Sequence, residues 1–467
     1  MRFFHRWIAG LSVWLAIGAT SIAFAGSAVD PATSKELSNL THAQMRGDLQ
    51  FLRDVWKPQD HSFTGAQSEE FNRLIASDIA HADELDPVSF WMRVSRVVAL
   101  SGNGHTNVNR GFPPFVGLPF EAWWFRDGLY IVETAPANAE LLGARIDKIG
   151  PRTAEEALSA VTPFISGNVA NVRNASPAYL RIPGLLHRLG MTDSDTRARL
   201  TVRLRTGKEK KVTLAVQEGS DAPPNAESDT YGVLIPQEPD EVGRWPHVLD
   251  GVKERPDIYQ KPVDLAFHWI GAGHRVLYLR SNQVSALDGN LTAFELKLVQ
   301  LLMNEIVPNR PKAVIVDLRL NQGGNFLNTV LFCQALPKVL SPGGKVLVLV
   351  SRSTFSAAIL TAAMLREYGG ASVTFLGTDM GDNERFYAEG SRVPLPDSKL
   401  GIRVSTGLHD WSEGCHDLER CFWPVVVWGP QDGQRISLHP DIEIEPSFAE
   451  YAAGRDPVME KALTLVP

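Results

Sequence analysis

The sequence predicts an α/β protein, and three observations carry that prediction. In the C-terminal half, unbroken apolar runs alternate with helical segments. In order these are Val276–Leu279, a helix near Leu291–Ile306, Ala313–Leu318, a helix near Phe326–Leu340, Val346–Val350, a helix over Ala357–Glu367, and Ser372–Leu376. Apolar strands separated by helices mark a sheet covered on both faces. Upstream, from about Pro119 to Val216, apolar and polar residues alternate in strands, and before them the chain reads as helical. The 467 residues, 44% hydrophobic and 21% charged, suffice for several domains at roughly 150 residues each.

The chain begins with Arg2 and Arg6, an apolar run over Trp7–Ala19, and the small-x-small pattern Ala23-Phe24-Ala25. This order predicts a signal peptide over residues 1–25 and an exported protein, periplasmic or secreted. The alternative is an uncleaved anchor, but the run is short for a bilayer span, and no later stretch is long and apolar enough. Residues 34–110 are expected to form a helical domain. Leu49, Leu52, Val55 and Trp56 share one helical face, as do Phe71, Leu74, Ile75 and Ile79. Asp86 and Pro87 suit a helix start.

Residues 119–216 are expected to form a second, β-rich unit. It contains strands at Gly128–Val132 and Gly143–Gly150, and a hairpin of Thr201–Arg205 and Lys211–Val216 around Thr206-Gly207. Gly219–Asp229, rich in Ser, Asp, Pro and Asn, reads as a linker or loop. Residues 231–467 form the α/β unit, closing with a helix from about Pro457.

A net charge of −7 without clustered Lys and Arg gives no footprint for nucleic acid. Of the three cysteines, Cys333 sits in an apolar helix and reads as a buried thiol. Cys415 and Cys421 are close together in a polar segment, which in an exported protein predicts a local disulfide. A metal site on Cys415, His416 and Cys421 is the alternative. It lacks an evident fourth ligand and a recognised zinc spacing. No metal or organic cofactor is expected.

The chemistry concentrates in Val350-Ser351-Arg352-Ser353-Thr354-Phe355-Ser356-Ala357-Ala358. Strand, small polar turn and helix follow one another, which sets the Ser356 hydroxyl at a helix N-terminus. Free N–H groups and the positive end of the helix dipole stabilise an oxyanion there. Simple helix capping by Ser353, Thr354 and Ser356 is the alternative. A second segment, Asp317-Leu318-Arg319-Leu320-Asn321-Gln322-Gly323-Gly324-Asn325, follows a buried strand. Its paired glycines permit close backbone approach and outward N–H groups, one arm of an oxyanion hole, with the Ala357 N–H as the other. An ordinary Gly-Gly turn is the competing reading. Asp317 and Arg319 are expected to pair with each other rather than react.

Asp317-Leu318-Arg319 with Gly323-Gly324, followed by Ser353-Thr354-Phe355-Ser356-Ala357-Ala358, resembles the tail-specific protease family of serine peptidases. That family includes the carboxy-terminal processing proteases, the tricorn core and the retinoid-binding repeats of the eye. Ser101-Gly102-Asn103-Gly104-His105-Thr106 resembles the family's Gly-Asp-Gly-His-Thr element. His439-Pro440-Asp441-Ile442 and Gly454-Arg455-Asp456-Pro457-Val458 resemble its C-terminal endings. Leu142–Gly150 resembles a PDZ-type insert.

The resemblance spans roughly Leu49 to Leu463. It implies a crotonase-like (ClpP-like) catalytic domain with an N-terminal helical domain and a PDZ-like β-rich insert. It implies Ser356 as nucleophile, with Gly323 or Gly324 and Ala357 as oxyanion donors, acting on a peptide or protein substrate.

Two departures define the branch. No Lys lies between Lys345 and Lys399, so the Ser–Lys dyad of the processing proteases has no counterpart. The tricorn-like branch uses a His, and His105 takes that place. An imidazole titrates near neutrality and can accept and return the serine proton. Where that branch carries an orienting Glu, this sequence has Gln434 and Arg435. Asp382, Glu384 and Glu413 are the remaining candidates for the acid. Thr354, Phe355 and Tyr387 are expected along the substrate groove, with a packed aromatic pair at Phe386-Tyr387 as the alternative. Trp123 and Trp124 are expected in the core. The expected activity is serine-type peptide hydrolysis; the competing class is a non-catalytic binder on the same scaffold.

Overall fold

The computed structural model describes residue 37 and residues 39–108, 117–216, 233–238, 243–284, 293–430 and 435–467. The expected signal segment and the linker-like stretch 219–229 lie outside the described residues. So does Gln434.

The first long helices among the described residues are α1 (His42–Phe51), α2 (Gly65–Ala80) and α3 (Pro87–Ala99). Thr41 and Thr64 start α1 and α2 with capping boxes. Each hydroxyl accepts from the N–H of Gln44 or Gln67, and that glutamine accepts in return from the threonine N–H. Asp86 caps α3, and Pro87 takes its first position, where no N–H is required. An antiparallel sheet follows, formed by β1 (Phe120–Phe125), β2 (Gly128–Thr134), β3 (Arg145–Ile149), β4 (Arg152–Thr153), β5 (Arg197–Arg203) and β6 (Glu209–Ala215). Its order is β1-β2-β3-β5-β6, with β4 paired to β3. Helices α4 (Ala154–Val161) and α5 (Val169–Tyr179) lie between β4 and β5 in the chain.

The helical and β-rich stretches are distinct in sequence but share one core. Trp56, Phe71, Phe90 and Trp91 pack in the same cluster as Trp124, Ile131, Ile146 and Leu200. Leu395, Leu400, Ile402 and Val404 join it from far downstream. Amphipathic helices and an apolar sheet face each need a partner layer, and here each supplies the other's. Buried carboxylates fix the join. Asp48 accepts from the N–H groups of Asp397 and Ser398 at 2.9 and 2.8 Å, and Asp60 accepts from the Ser405 N–H at 2.8 Å.

The second sheet contains β7 (Ala266–Ile270), β8 (Val276–Arg280), β9 (Ala313–Asp317), β10 (Lys345–Val350), β11 (Val373–Gly377) and, far downstream, β16 (Ile442–Glu443). Its order is β16-β11-β10-β9-β8-β7, parallel except for the antiparallel edge strand β7. Helices α6 (Ala293–Leu301), α7 (Val330–Val339) and α8 (Ala357–Gly369) alternate with its strands.

The unbroken apolar runs now have their reason. Leu277, Leu279, Val314, Val316, Val346, Val348 and Val350 point into one core with α6–α8. Their alternates Val276, Tyr278, Ala313, Ile315, Leu347 and Leu349 point into another, against the closing helix Pro457–Leu463. Among the described residues, no helix is long and apolar enough to cross a membrane.

Between β11 and β16 lie the short strands β12 (Arg385–Ala388), β13 (Arg392–Pro394), β14 (Gly401–Arg403) and β15 (Gly407–Asp410). They pair as β12–β15 and β13–β14. Cys415 and Cys421 form a disulfide that closes a loop beside β15, where Cys421 bridges to Leu408. Replacing both cysteines with serine is expected to cost about 2 kcal/mol, from the unfolded-state entropy of a short closed loop. The shift of the urea midpoint measures it.

A buried ion network closes the C-terminal end of β9. Arg319 donates to Asp317 at 2.6 Å and to Asp456 at 2.7 Å, and the Tyr278 hydroxyl donates to Asp317 at 2.8 Å. Burial opposes the Arg319 charge, but the two carboxylates hold the guanidinium well above its ordinary value. Asp456→Ala removes half of that compensation and is expected to destabilise the fold by about 3 kcal/mol, read from chemical denaturation.

Candidate active site

Ser356 lies just beyond the C-terminal end of β10, a central strand, where open α/β sheets place their ligand crevices. It is the N-cap of α8 and has φ 52° and ψ −124°. A non-glycine residue rarely adopts a positive φ, and holding one there costs on the order of 1–3 kcal/mol. The surrounding turn imposes it. The Thr354 hydroxyl donates to the Leu318 carbonyl at 2.8 Å, the Phe355 N–H donates to the Asn321 carbonyl at 2.9 Å, and the Gly381 N–H donates to the Thr354 carbonyl at 2.9 Å. Behind the turn, the Arg352 guanidinium lies 4.3 Å from the centre of the Trp123 ring and pairs with Glu445 and the Trp124 carbonyl. Burial pulls this guanidinium down to about 10, with Glu445 opposing.

The Gly323-Gly324 turn faces the same point. A Cβ on Gly323 would come within 2.5 Å of the Ser356 Cβ and 2.9 Å of the Ala357 nitrogen. Only glycine lets this backbone lie against the serine, and its φ of 111° requires the same residue. Ala357 supplies the first N–H of α8, a group that has no partner within its own helix. Gly323 does not fit the expected donor role, because its N–H already donates to Asn321 Oδ1 at 2.9 Å. Gly324 and Ala357 remain as the candidate pair.

His105 comes from the turn after α3, more than two hundred residues earlier, and its loop is docked by reciprocal bonds. Asn103 acts as a surrogate strand. Its side-chain amide donates to the Tyr387 carbonyl and accepts from the Tyr387 N–H, both at 2.8 Å. The Thr106 hydroxyl lies 3.1 Å from Asp60 and 2.9 Å from the Ser405 hydroxyl. Gly104 donates its N–H to Asp382 Oδ1 at 3.2 Å, and a Cβ there would meet Asp382 Oδ2 at 2.8 Å and the Phe355 ring at 2.9 Å. The glycine therefore permits the contact.

Asp382 is the acid that reaches the imidazole: His105 Nδ1–H donates to Asp382 Oδ2 at 3.0 Å. The ring lies between Phe355, at 4.4 Å between centroids, and Phe386, at 5.1 Å and nearly parallel. Both partners of the pair are buried. Among the described residues His105 Nε2 has no hydrogen-bond partner, so it is the free edge of the imidazole and is not joined to Ser356 in this state.

The other acid candidates stand elsewhere. Glu384 accepts from the Leu438 N–H at 2.6 Å, and Glu413 pairs with Arg435 at 2.6 Å near the surface. Thr354 is fully buried and braces the turn instead of lining a groove. Phe355, half-buried, stacks on His105, and Tyr387 holds Asn103. Sequence reading did not single out Asn103, Asn321 or Asp60, whose partners lie far away in the chain. Among the described residues, no group of three or more His, Cys, Asp and Glu is placed to hold a metal ion.

No protein-family model matches the sequence, and no curated protein matches it. Solved structures do. Mature CPAF complexed with lactacystin superimposes with a TM-score of 0.57 at 13% identity, over 91% of this chain and 98% of that one. A second structure of mature CPAF gives 0.53 at 14% identity, over 91% and 96%. The photosystem II D1 C-terminal processing protease gives 0.35 at 10% identity, over 89% and 97%. These neighbours are serine proteases of the tail-specific type, and this chain shares the fold of CPAF.

Proposed function

We propose that this protein is an exported serine peptidase of the tail-specific protease type, hydrolysing peptide bonds with Ser356 as nucleophile and His105 as general base. The observation that carries the reading is the strained backbone of Ser356, held at a helix N-terminus beside a glycine turn. Strain at such a point is a feature of nucleophile elbows, where the hydroxyl must project above a sheet. The buried Asp382–His105 pair stacked on Phe355, the residue preceding that serine, supports it.

In this reading the Ser356 hydroxyl attacks the carbonyl carbon of the scissile bond and passes its proton to His105 Nε2. The N–H groups of Gly324 and Ala357 receive the oxyanion. Asp382 holds the Nδ1–H tautomer and stabilises the imidazolium. The imidazolium returns the proton to the leaving amine, and water then hydrolyses the acyl-enzyme by the same path. Oxyanion donors of this kind each contribute about 10²–10³ in rate, and a histidine base contributes about 10²–10⁴. Substrate binding closes the gap between the serine and the free imidazole edge.

We assign residues 231–467 to a crotonase-like catalytic domain, 119–216 to a PDZ-like unit and 34–110 to a helical domain, with a signal peptide over 1–25. The parallel sheet that carries β10 and the separate antiparallel sheet support setting the first of these apart from the other two, which share one core. The open Ser356–His105 contact favours one second reading, a peptide binder on the same scaffold. A fluorophosphonate probe separates them. The peptidase reading expects covalent labelling of Ser356, located by peptide mass mapping, and turnover of peptide esters. Saturable peptide binding with neither labelling nor turnover would establish the binder.

A further inference from the structure

The face of Phe386 turned away from His105 is covered by a second, buried imidazole. His409, on β15, lies 4.9 Å from Phe386 between centroids and within 4° of parallel, and Phe422 covers its other face at 5.0 Å. Packing alone does not call for a histidine here. The residue is 1% exposed, and among the described residues its Nδ1 has no partner and its Nε2 meets only the Glu389 carboxylate, at 3.3 Å. An apolar ring would fill the place without the cost of desolvating an imidazole.

Glu389 is unusual as well. It adopts φ 60°, a left-handed conformation rare outside glycine, immediately after β12. Gly407 makes room for it, since a Cβ there would meet Glu389 Cγ at 3.0 Å and the Phe422 Cβ at 3.2 Å. Two locally unfavourable choices thus meet one ring away from the candidate base, and such costs persist where function maintains them.

We propose that Glu389 and His409 act together as positioning residues for the general base, holding Phe386 flat against the His105 imidazole and placing a carboxylate where it favours the imidazolium formed in acyl transfer. The proposal rests on the serine-peptidase reading and extends it beyond the Asp382 contact. The charged groups that bear on His409 are Glu389 directly, and His105 with Asp382 across Phe386. Arg403 acts on Glu389, and Arg385 with Asp410 flanks the β12–β15 ribbon. Burial lowers the His409 imidazole below its ordinary value, with Glu389 opposing. At neutral pH the pair therefore presents the carboxylate, not two cancelling charges.

The test is the rate of fluorophosphonate labelling against pH for the full chain, in the wild type, Glu389→Gln and His409→Phe. Losing the carboxylate weakens the base. Glu389→Gln is expected to label about tenfold more slowly at neutral pH, with the midpoint of its acid limb about half a pH unit lower. His409→Phe preserves the ring column and the folded state but releases Glu389 from its partner, so its acid limb moves the same way. Profiles of both variants that superimpose on the wild type, with rates within twofold, would overturn the positioning role and leave the peptidase reading intact. A wild type that shows no Ser356-dependent labelling removes the base that the pair would serve, and both proposals fall together.

Discussion

Ser356→Gly is expected to abolish acyl transfer while making the protein more stable. The loss follows from removing the proposed nucleophile: knocking out the serine of a serine hydrolase typically costs about 10⁵–10⁶ in kcat. The gain follows from the backbone. At φ 52° and ψ −124° the serine Cβ is crowded, whereas glycine adopts this conformation freely. Relief of on the order of 1–3 kcal/mol of strain, less about 0.5–1 kcal/mol for the added freedom of the unfolded chain, leaves a net gain of about 1 kcal/mol. Ser356→Ala keeps the Cβ and loses only the hydroxyl, so it should be equally inactive without that gain. Urea midpoints of the two variants against the wild type give the comparison. A glycine variant no more stable than the alanine one would show that the turn does not hold Ser356 under strain.

How much of this could be read from the sequence follows from the range of the interactions. The parallel sheet was legible because burial on both faces leaves a local trace, an unbroken apolar run such as Val346–Val350. The Ser356 turn was legible for a similar reason, since strand, small residues and helix are contiguous. The choice among Asp382, Glu384 and Glu413 was not legible. It depends on which carboxylate a loop from the start of the chain meets, and that meeting is set by Asn103 on Tyr387 and Thr106 on Asp60. The amide of Gly323 looked available until Asn321 folded back to accept from it. Thr354, next to Phe355 and two residues before Ser356, is a groove residue by its place in the sequence, but its hydroxyl braces the turn from within. The single core shared by the helical and β-rich stretches left no trace in periodicity, because each amphipathic face reads the same whichever layer covers it.

Asp382→Asn should separate orientation from charge at the proposed base, His105. The two carboxylate oxygens have different tasks: Oδ1 accepts from the Gly104 and Asn383 N–H groups, at 3.2 and 2.9 Å, and Oδ2 accepts from His105 Nδ1–H. In the asparagine variant the amide oxygen can keep the two backbone donors, which places the NH₂ against Nδ1. Donor then faces donor unless the imidazole moves its proton to Nε2. In that tautomer the edge that must accept the serine proton already carries one. The expected loss is about 10⁴ in kcat, with little change in KM, because substrate contacts are untouched. The fold should survive, since the loop-docking acceptor remains. Asp382→Ala, by contrast, strands both N–H groups and should also cost about 1–3 kcal/mol of stability. Equal activity for Asp382→Asn and the wild type would show that this carboxylate serves only to dock the loop. The acid for His105 would then have to come from elsewhere in the chain.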